Sequence, residues 1–460
     1  MDENINIFRS SVNELTHTPR SSAKALPRYP AMAPRLPTGS SDPISFTCTC
    51  SASKDPEGGY ILLFYRYFAA SPPLNLKDQS PANVPSSLAT FHTNLTTRLE
   101  VGGKIRLAEE GFNITVGGTT DAIREYMREC KEHWSFQGLD LDTEQKQHDF
   151  FKPSTGGCAC AFGGAPASVR VAAEITPMGV TNYSPKNWDD IEVLSPADFH
   201  ERCYTEDITL LDVRNYYESR IGYFIDPKTG DPALRPPIRR FSQWPQYVRK
   251  YMTNSVDEDE EKKKQTQGKQ ILTFCTGGIR CEKGARYMQE NMEKQPGASV
   301  ATLMGGIAAY LTWMDEEIRQ NRKRSEDSLF KGRNYVFDAR GSTSLDGISE
   351  PVSKCHGCGK PSDRLGKCRS TGCHLVLVVC SACELSSDPR CCQSCLNMDL
   401  GWGLNSNAPK NIKSRTVCEC EQKRETELWG EGSRKLPKSR RANKEKNARQ
   451  DINIQVKVMD

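Results

Sequence analysis

The segment Phe274-Cys275-Thr276-Gly277-Gly278-Ile279-Arg280-Cys281 constrains the fold of this chain more than any other. It follows a short apolar run, Gln270 to Phe274, and leads into a stretch with helical spacing from Cys281. Similar units flank it. Ser195-Pro196-Ala197-Asp198 reads as a helix start, and Ile208 to Val213 as a strand. Strand Val300 to Met304, the pair Gly305-Gly306 and helix Ile307 to Glu317 follow. Strands that alternate with helices pair in parallel, so an α/β parallel-sheet domain is expected. Cys275 then stands at the carboxyl end of a strand, the edge at which such sheets bind ligands.

That position has chemical consequences. A helix N-terminus turns amide N–H groups and the positive end of its dipole toward the sulfur, and both favour a thiolate. Gly277 and Gly278 let Thr276, Ile279 and their neighbours curl into an anion cradle without Cβ clashes. Arg280 would close the loop with a cationic fork. The bland alternative is a buried strand-end cysteine beside a glycine turn, but the glycine pair, the arginine and the strand-loop-helix setting agree on a reactive thiol. Four residues separate Cys275 from Arg280. Cysteine phosphatases use a longer spacing to surround a phosphate, so this cradle suits a single sulfur. Cys281 is either a resolving thiol for Cys275 or a small buried residue of the first helical turn. Asp212 and Arg214 end a neighbouring strand and are expected to order loops in support of the site. Glu282 and Lys283 read as a charged helix start.

Upstream, Tyr60 to Phe68 suits a buried strand and Leu88 to Leu99 a helix. Lys104 to Ala108 and Asn113 to Val116 suit strands joined at Gly111, and Thr120 to Lys131 a helix. The order β-α-β-β-α points to an α+β, ferredoxin-like domain. Glu110 and Asn113 fit turn chemistry there. Three segments read as irregular: the Gly/Ala-rich insert Gly156 to Ala167, the proline-rich basic stretch Pro227 to Pro245 and the charged loop Val256 to Gln270. Cys158 and Cys160 in the first are too few to define a metal site.

Of 19 cysteines, eleven follow Pro351. Cys355/Cys358, Cys368/Cys373, Cys380/Cys383 and Cys392/Cys395 form four successive close pairs. Two such pairs fill the tetrahedral sphere of one Zn²⁺, so two structural zinc ions are expected, and their binding would supply the folding energy that a small core lacks. Interleaving the first pair with the third and the second with the fourth would resemble RING-like modules. Cys391, His356 and His374 are substitute ligands, and Cys418-x-Cys420 has no evident partner. No apolar run is long enough to span a membrane and no secretory signal is present, so paired cysteines in a reducing, cytoplasmic setting favour metal over disulfides. An organelle or the nucleus stays open, given the Ser/Arg/Pro-rich leader and the basic tail from Ser433. The net charge of +4 says little about a polyanionic partner.

Several blocks together carry a family resemblance. CTGGIRCEKGARYM at Cys275, LAEEGFNITVGG at Leu107, EITPMG at Glu174, and Asp212-Val213-Arg214-Asn215 with Tyr217-Glu218 and Ile221-Gly222 are among them, as are Gly305-Gly306-Ile307 and Val336-Phe337-Asp338. They resemble the oxygen-dependent tRNA uridine 5-hydroxylases and their eukaryotic rhodanese-like relatives. The chain then divides into a disordered leader (1–57), which is extra to the family pattern, a ferredoxin-like (acylphosphatase-like) domain (58–150) and a linker with an interdomain strand (151–194). A rhodanese domain (195–330), a zinc module (331–425) and a basic tail (426–460) follow. The resemblance implies tRNA as partner, molecular oxygen as co-substrate and Cys275, Arg280 and Cys281 as catalytic residues. Sulfur transfer through a Cys275 persulfide, between a sulfur donor and an acceptor, needs the same loop. A non-enzymatic scaffold is the remaining reading, and the presence of both Cys275 and Arg280 argues against it.

Overall fold

The computed structural model describes residues 58–75, 83–180, 183–252, 269–292, 299–345, 350–370, 373, 375–386, 389–397 and 418–429. The expected disordered leader, most of the charged loop and the basic tail lie outside the described residues.

The first sheet contains β1 (Tyr60–Tyr67), β2 (Gly102–Ala108), β3 (Gly111–Gly118) and β4 (Ser168–Val171) in the order β1-β3-β2-β4. β3 runs antiparallel to both β1 and β2, and β4 joins the outer edge of β2 in parallel. Helices α1 (Val84–Arg98), α2 (Thr120–Glu132) and α3 (Glu144–Phe151) complete the layer. The Thr119 and Thr143 hydroxyls accept N–H bonds from Ala122 and Lys146, capping α2 and α3. The β-α-β-β-α order therefore appears as expected. The strand expected at Glu174–Gly179 does not. That segment is a loop, and the linker's strands are β4, which belongs to the first sheet, and β5 (Glu192–Leu194), which belongs to the second.

β1 explains its own composition. Side chains alternate across a strand, so Leu62 and Phe64 enter the first core with Phe112, Ile114 and Tyr126. Leu63, Tyr65 and Tyr67 face the other way, toward the thiol loop. Both faces are covered, and the sequence accordingly reads as a continuous apolar and aromatic run.

The second sheet is all parallel, in the order β5-β9-β8-β6. Its strands are β5 (Glu192–Leu194), β6 (Ile208–Asp212), β8 (Gln270–Phe274) and β9 (Ser299–Leu303). Between β6 and β8 the chain forms the short strand β7 (Gly222–Phe224) and helix α5 (Trp244–Tyr251). Helix α4 (Pro196–Thr205) begins at the Ser195 cap, with α6 (Ile279–Asn291) and α7 (Gly306–Arg319) after β8 and β9. The proline-rich stretch does not stay irregular to its end. Ile238, Phe241 and Trp244 are buried against α6, and Trp244 Nε1 donates to the Gly284 carbonyl at 2.9 Å.

β10 (Phe330–Gly332) pairs with β7, and β11 (Asn334–Tyr335) with β12 (Ser342–Thr343). The cysteine module holds β13 (Leu365–Lys367), β14 (Val376–Val378), α8 (Ser381–Ser386) and α9 (Glu419–Trp429). It docks on the parallel-sheet domain through Tyr216. Tyr216 donates to the Val376 carbonyl at 3.3 Å, and the Arg424 guanidinium lies 4.5 Å from its ring centroid.

Candidate functional site

Cys275 directly follows β8, fully buried, and α6 begins at Ile279 rather than at Cys281. Arg280 and Cys281 therefore belong to the first helical turn, and their amides point back at the sulfur. The Gly278 N–H lies 3.2 Å from Cys275 Sγ. Burial pushes the thiol up. The Cys281 thiol, the Arg280 charge and the amides of Cys281 and Arg280 outweigh it and bring Cys275 down to about 5. Burial and the adjacent Cys275 push Cys281 the other way, so it remains a thiol that donates to its neighbour.

The glycines are required by contact. Gly306 has φ +65°, and a Cβ there would lie 2.4 Å from the Cys275 carbonyl oxygen. This close approach lets Ile307 and Ala308 donate their N–H groups to the carbonyls of Cys275 and Thr276, at 2.9 and 3.0 Å. Gly278 takes φ +97° beneath the Tyr65 hydroxyl.

Arg280 is not an open fork. Its two terminal nitrogens bind both oxygens of buried Glu218, at 2.7 and 2.8 Å, and one also reaches Thr276 Oγ1 at 3.1 Å. Arg280 thus acts on the sulfur through charge rather than by grasping an anion. Glu218 also accepts from the Thr276 hydroxyl and the Asn215 N–H. Burial raises the Glu218 carboxyl, but Arg280 dominates and leaves it lowered. In the sequence, Glu218 stands out only within the Tyr217-Glu218 block that resembles the family. Its signal was an acid shortly after a strand that ends in Asp-Val-Arg. The Asp212–Arg214 pair is buried and self-contained, Arg214 binding Asp212 at 2.7 Å and the Gly222 carbonyl at 2.6 Å. It ties the end of β6 to β7 on either side of the loop that carries Glu218.

The first sheet covers the loop. The Tyr65 hydroxyl donates to Glu282 at 3.2 Å and the Tyr67 hydroxyl to the Ile279 carbonyl at 3.3 Å. Lys283 is no exposed helix start. It is 1% exposed and binds Glu110 at 2.9 Å and Glu174 at 2.8 Å. Glu110 also accepts the Ile175 N–H at 2.7 Å, so its role is to join the two sheets rather than to shape the turn. Asn113 likewise leaves its turn to donate to the Ile175 carbonyl. Beside Tyr65 opens a cavity of about 550 Å³ lined by Tyr67, Lys152, Trp188, Glu282 and Arg286 among others. Lys152, its ammonium 5.4 Å from the Tyr65 ring centroid, is brought down to about 8 by burial, against the pull of Glu282, Asp149 and Cys275. A buried thiolate, a second thiol and an adjoining aromatic, cationic cleft are suited to covalent or redox chemistry on a planar substrate.

The thiols of the C-terminal module gather in two places. Cys355, Cys358, Cys380 and Cys383 form one group, which interleaves the first and third pairs. Cys368, Cys373, Cys391 and Cys395 form the other, so Cys391 stands where Cys392 was expected. Cys392 belongs to an overlapping group with Cys391, Cys395 and Cys418, which gives the late Cys418-x-Cys420 pair its partner. Both clusters have the donor set of a tetrahedral metal site.

Residues 60–155 match the UPF0176 acylphosphatase-like domain, and residues 331–396 match the rhodanase C-terminal family. The tRNA uridine(34) hydroxylase of Cytophaga hutchinsonii is 30% identical over 65% of this chain and 81% of its own length. That of Staphylococcus saprophyticus is 29% identical over 73% and 89%. Rhodanese-like domain-containing protein 6 of Arabidopsis thaliana is 29% identical over 79% of this chain, which spans 57% of that protein. The paired sheets, the thiol loop between them and these matches place the chain in the tRNA uridine(34) hydroxylase family of rhodanese-domain proteins.

Proposed function

We propose that this protein is an enzyme that modifies tRNA, installing a hydroxyl at C5 of the wobble uridine. The observation that carries the reading is the placement of β1 over the Cys275 loop. Generic sulfur transfer has no need of a second sheet there, whereas a large substrate needs a cleft with walls from both. Tyr65, Tyr67 and Trp188 supply flat apolar surface for a base, and Lys152 and Arg286 supply charge. Cys275 is the nucleophilic thiolate, Arg280 its charge partner and Cys281 its resolving thiol. Gly277, Gly278, Thr276 and Ile279 shape the loop. The stoichiometry closes with molecular oxygen as co-substrate. One oxygen atom enters the C5–H bond and the other leaves as water. The two electrons come from the Cys275/Cys281 dithiol, which becomes a disulfide and is reset by an external thiol. The two thiol clusters hold structural zinc, whose role is to fold the module against the Tyr216–Glu218 loop. A cytoplasmic site of action fits this chemistry. Among the described residues no helix is long and apolar enough to cross a membrane.

Sulfur transfer through a Cys275 persulfide is the second reading, favoured by the amides that converge on one sulfur. Nucleoside mass spectrometry of tRNA from cells lacking the protein, restored with wild type or Cys275→Ser, separates them. Loss of 5-hydroxyuridine that only wild type restores supports the hydroxylase. Unchanged 5-hydroxyuridine after loss of the whole protein supports sulfur transfer.

A further inference from the structure

We propose that Lys104, Arg106 and Arg170, on the thiol-facing side of the first sheet, form a phosphate-binding row for the RNA strand that enters the site. This rests on the reading of the protein as a tRNA-modifying enzyme and extends it to a surface outside the thiol loop.

The row follows from strand register. Tyr65 pairs with Asn113, Asn113 with Arg106 and Arg106 with Arg170, across β1, β3, β2 and β4. Cross-strand partners share a face, and Tyr65 at the head of this line overlies Gly278 of the thiol loop. With strands about 4.8 Å apart, Arg106 stands about 10 Å and Arg170 about 14 Å from Tyr65 along the sheet. Lys104 lies two residues before Arg106 and so on the same side. The opposite side, with Ile105, Leu107 and Val169, packs into the first core.

The fold makes little use of these cations. Arg106 is half-buried and Arg170 exposed, and among the described residues neither guanidinium has a hydrogen-bond or ion-pair partner. Like charges directly opposite each other on neighbouring strands are destabilising. Burial and the adjacent Arg170 bring Arg106 below its usual range, although Glu174 pulls the other way. The acids that these cations feel, Glu174 and Asp338, are already engaged. Glu174 holds Lys283 at 2.8 Å and the N–H groups of Met178 and Gly179 at 3.0 and 3.3 Å. Asp338 holds Arg340 through both oxygens, each at 2.8 Å. An anion supplied from outside would relieve the repulsion, and phosphate matches the guanidinium fork.

The surroundings fit an RNA strand. Lys104 donates to the Phe337 carbonyl at 2.8 Å, and the Phe337 ring, 43% exposed, has its centroid 5.8 Å from the Arg280 guanidinium carbon. A flat apolar surface for a base thus stands between the thiol loop and Lys104, the interleaving of aromatic and basic groups by which single-stranded RNA is held. A base at Cys275 leaves the phosphates on its flanks within reach of the row. Such contacts fix the position of the strand and carry no sequence preference.

The test is tRNA binding by the full-length protein, read by fluorescence anisotropy of a labelled, unmodified tRNA at several salt concentrations. For Arg106→Gln/Arg170→Gln, affinity should fall by about tenfold or more, and the slope of log affinity against log salt should shrink by about 1.4–1.8, the share of two phosphate contacts. Arg106→Lys/Arg170→Lys should keep most of both. The charge-matched control Arg319→Gln/Arg322→Gln removes two cations already paired with acids and should change neither; an equal loss there would overturn the row. Urea unfolding of the glutamine double variant should show no loss of stability, because like-charge repulsion is removed. Destabilisation accompanying the lost affinity would mark a structural role and overturn the proposal. If the wild type binds tRNA and the glutamine variant matches it in affinity and slope, the row is wrong and the tRNA reading stands. No tRNA binding by the wild type would overturn both.

Discussion

Replacing Glu218 by Gln separates two roles that Arg280 can have toward the thiolate. The native cluster buries one cation, Arg280, with two anions, Glu218 and Cys275. Glu218→Gln leaves one cation and one anion. If Arg280 acts through its charge, the Cys275 thiolate becomes still more favoured and its pKa falls below the native value of about 5. If Arg280 matters only as a scaffold held by Glu218, the loop loosens and the pKa rises toward that of an ordinary thiol. Stability falls either way, because removing one partner of a buried pair costs about 3–5 kcal/mol. A loss near 3 kcal/mol is expected at neutral pH, since the thiolate stays as counter-charge to Arg280. The sign with pH follows from the depressed pKa. The thiolate's contribution is present above the ordinary thiol range and is lost as pH falls through about 5, while the native protein's Glu218 contribution is lost at lower pH still, so the two proteins converge in strong acid. Thiolate absorbance in the ultraviolet, taken as the difference from the same protein carrying Cys275→Ser, reads the midpoint, and urea unfolding at several pH values reads stability. A midpoint that is unchanged or higher in Glu218→Gln would refute the charge mechanism.

Cys275→Ser should abolish 5-hydroxyuridine formation in tRNA while the protein still unfolds in one cooperative urea transition, somewhat less stable at neutral pH because the thiolate's contribution is gone. The double change Glu110→Gln/Glu174→Gln should cost about 3–5 kcal/mol in urea unfolding by stranding buried Lys283, and Lys283→Met clearly less, because both carboxylates are partly exposed; equal costs would contradict an interdomain clamp. Gly277→Ala places a Cβ 2.8 Å from Leu63 Cδ2, so activity should drop and the added Leu63→Ala should restore much of it. Gly306→Ala meets backbone at 2.4 Å and should find no such rescue, which activity assays of the paired variants will show. A strong chelator should strip the thiol clusters and unfold the C-terminal module, seen as lost protease resistance beyond residue 350.

Much of this protein was legible because its signals are local. A cysteine between a strand and a helix N-terminus has its amide environment set within a few residues, so Cys275, its glycines and the parallel sheet could be read directly. The same holds for the β-α-β-β-α order and the paired cysteines. Tertiary structure decided what depends on distant partners. Glu218 occupies the Arg280 fork from 62 residues away, and its place after the Asp-Val-Arg strand end does not reveal that partner. Lys283 looks like a solvated helix start until Glu110 and Glu174 arrive from 173 and 109 residues away. The aromatic run of β1 reads as a buried strand, but only packing shows that its second face closes over the thiol. Close cysteine pairs point to a metal site, yet the grouping of Cys391 rather than Cys392 with Cys368 and Cys373, and the approach of Cys418, depend on where β14 and α9 bring the sulfurs. Spacing along the chain limits which thiols can meet, and the fold selects among them.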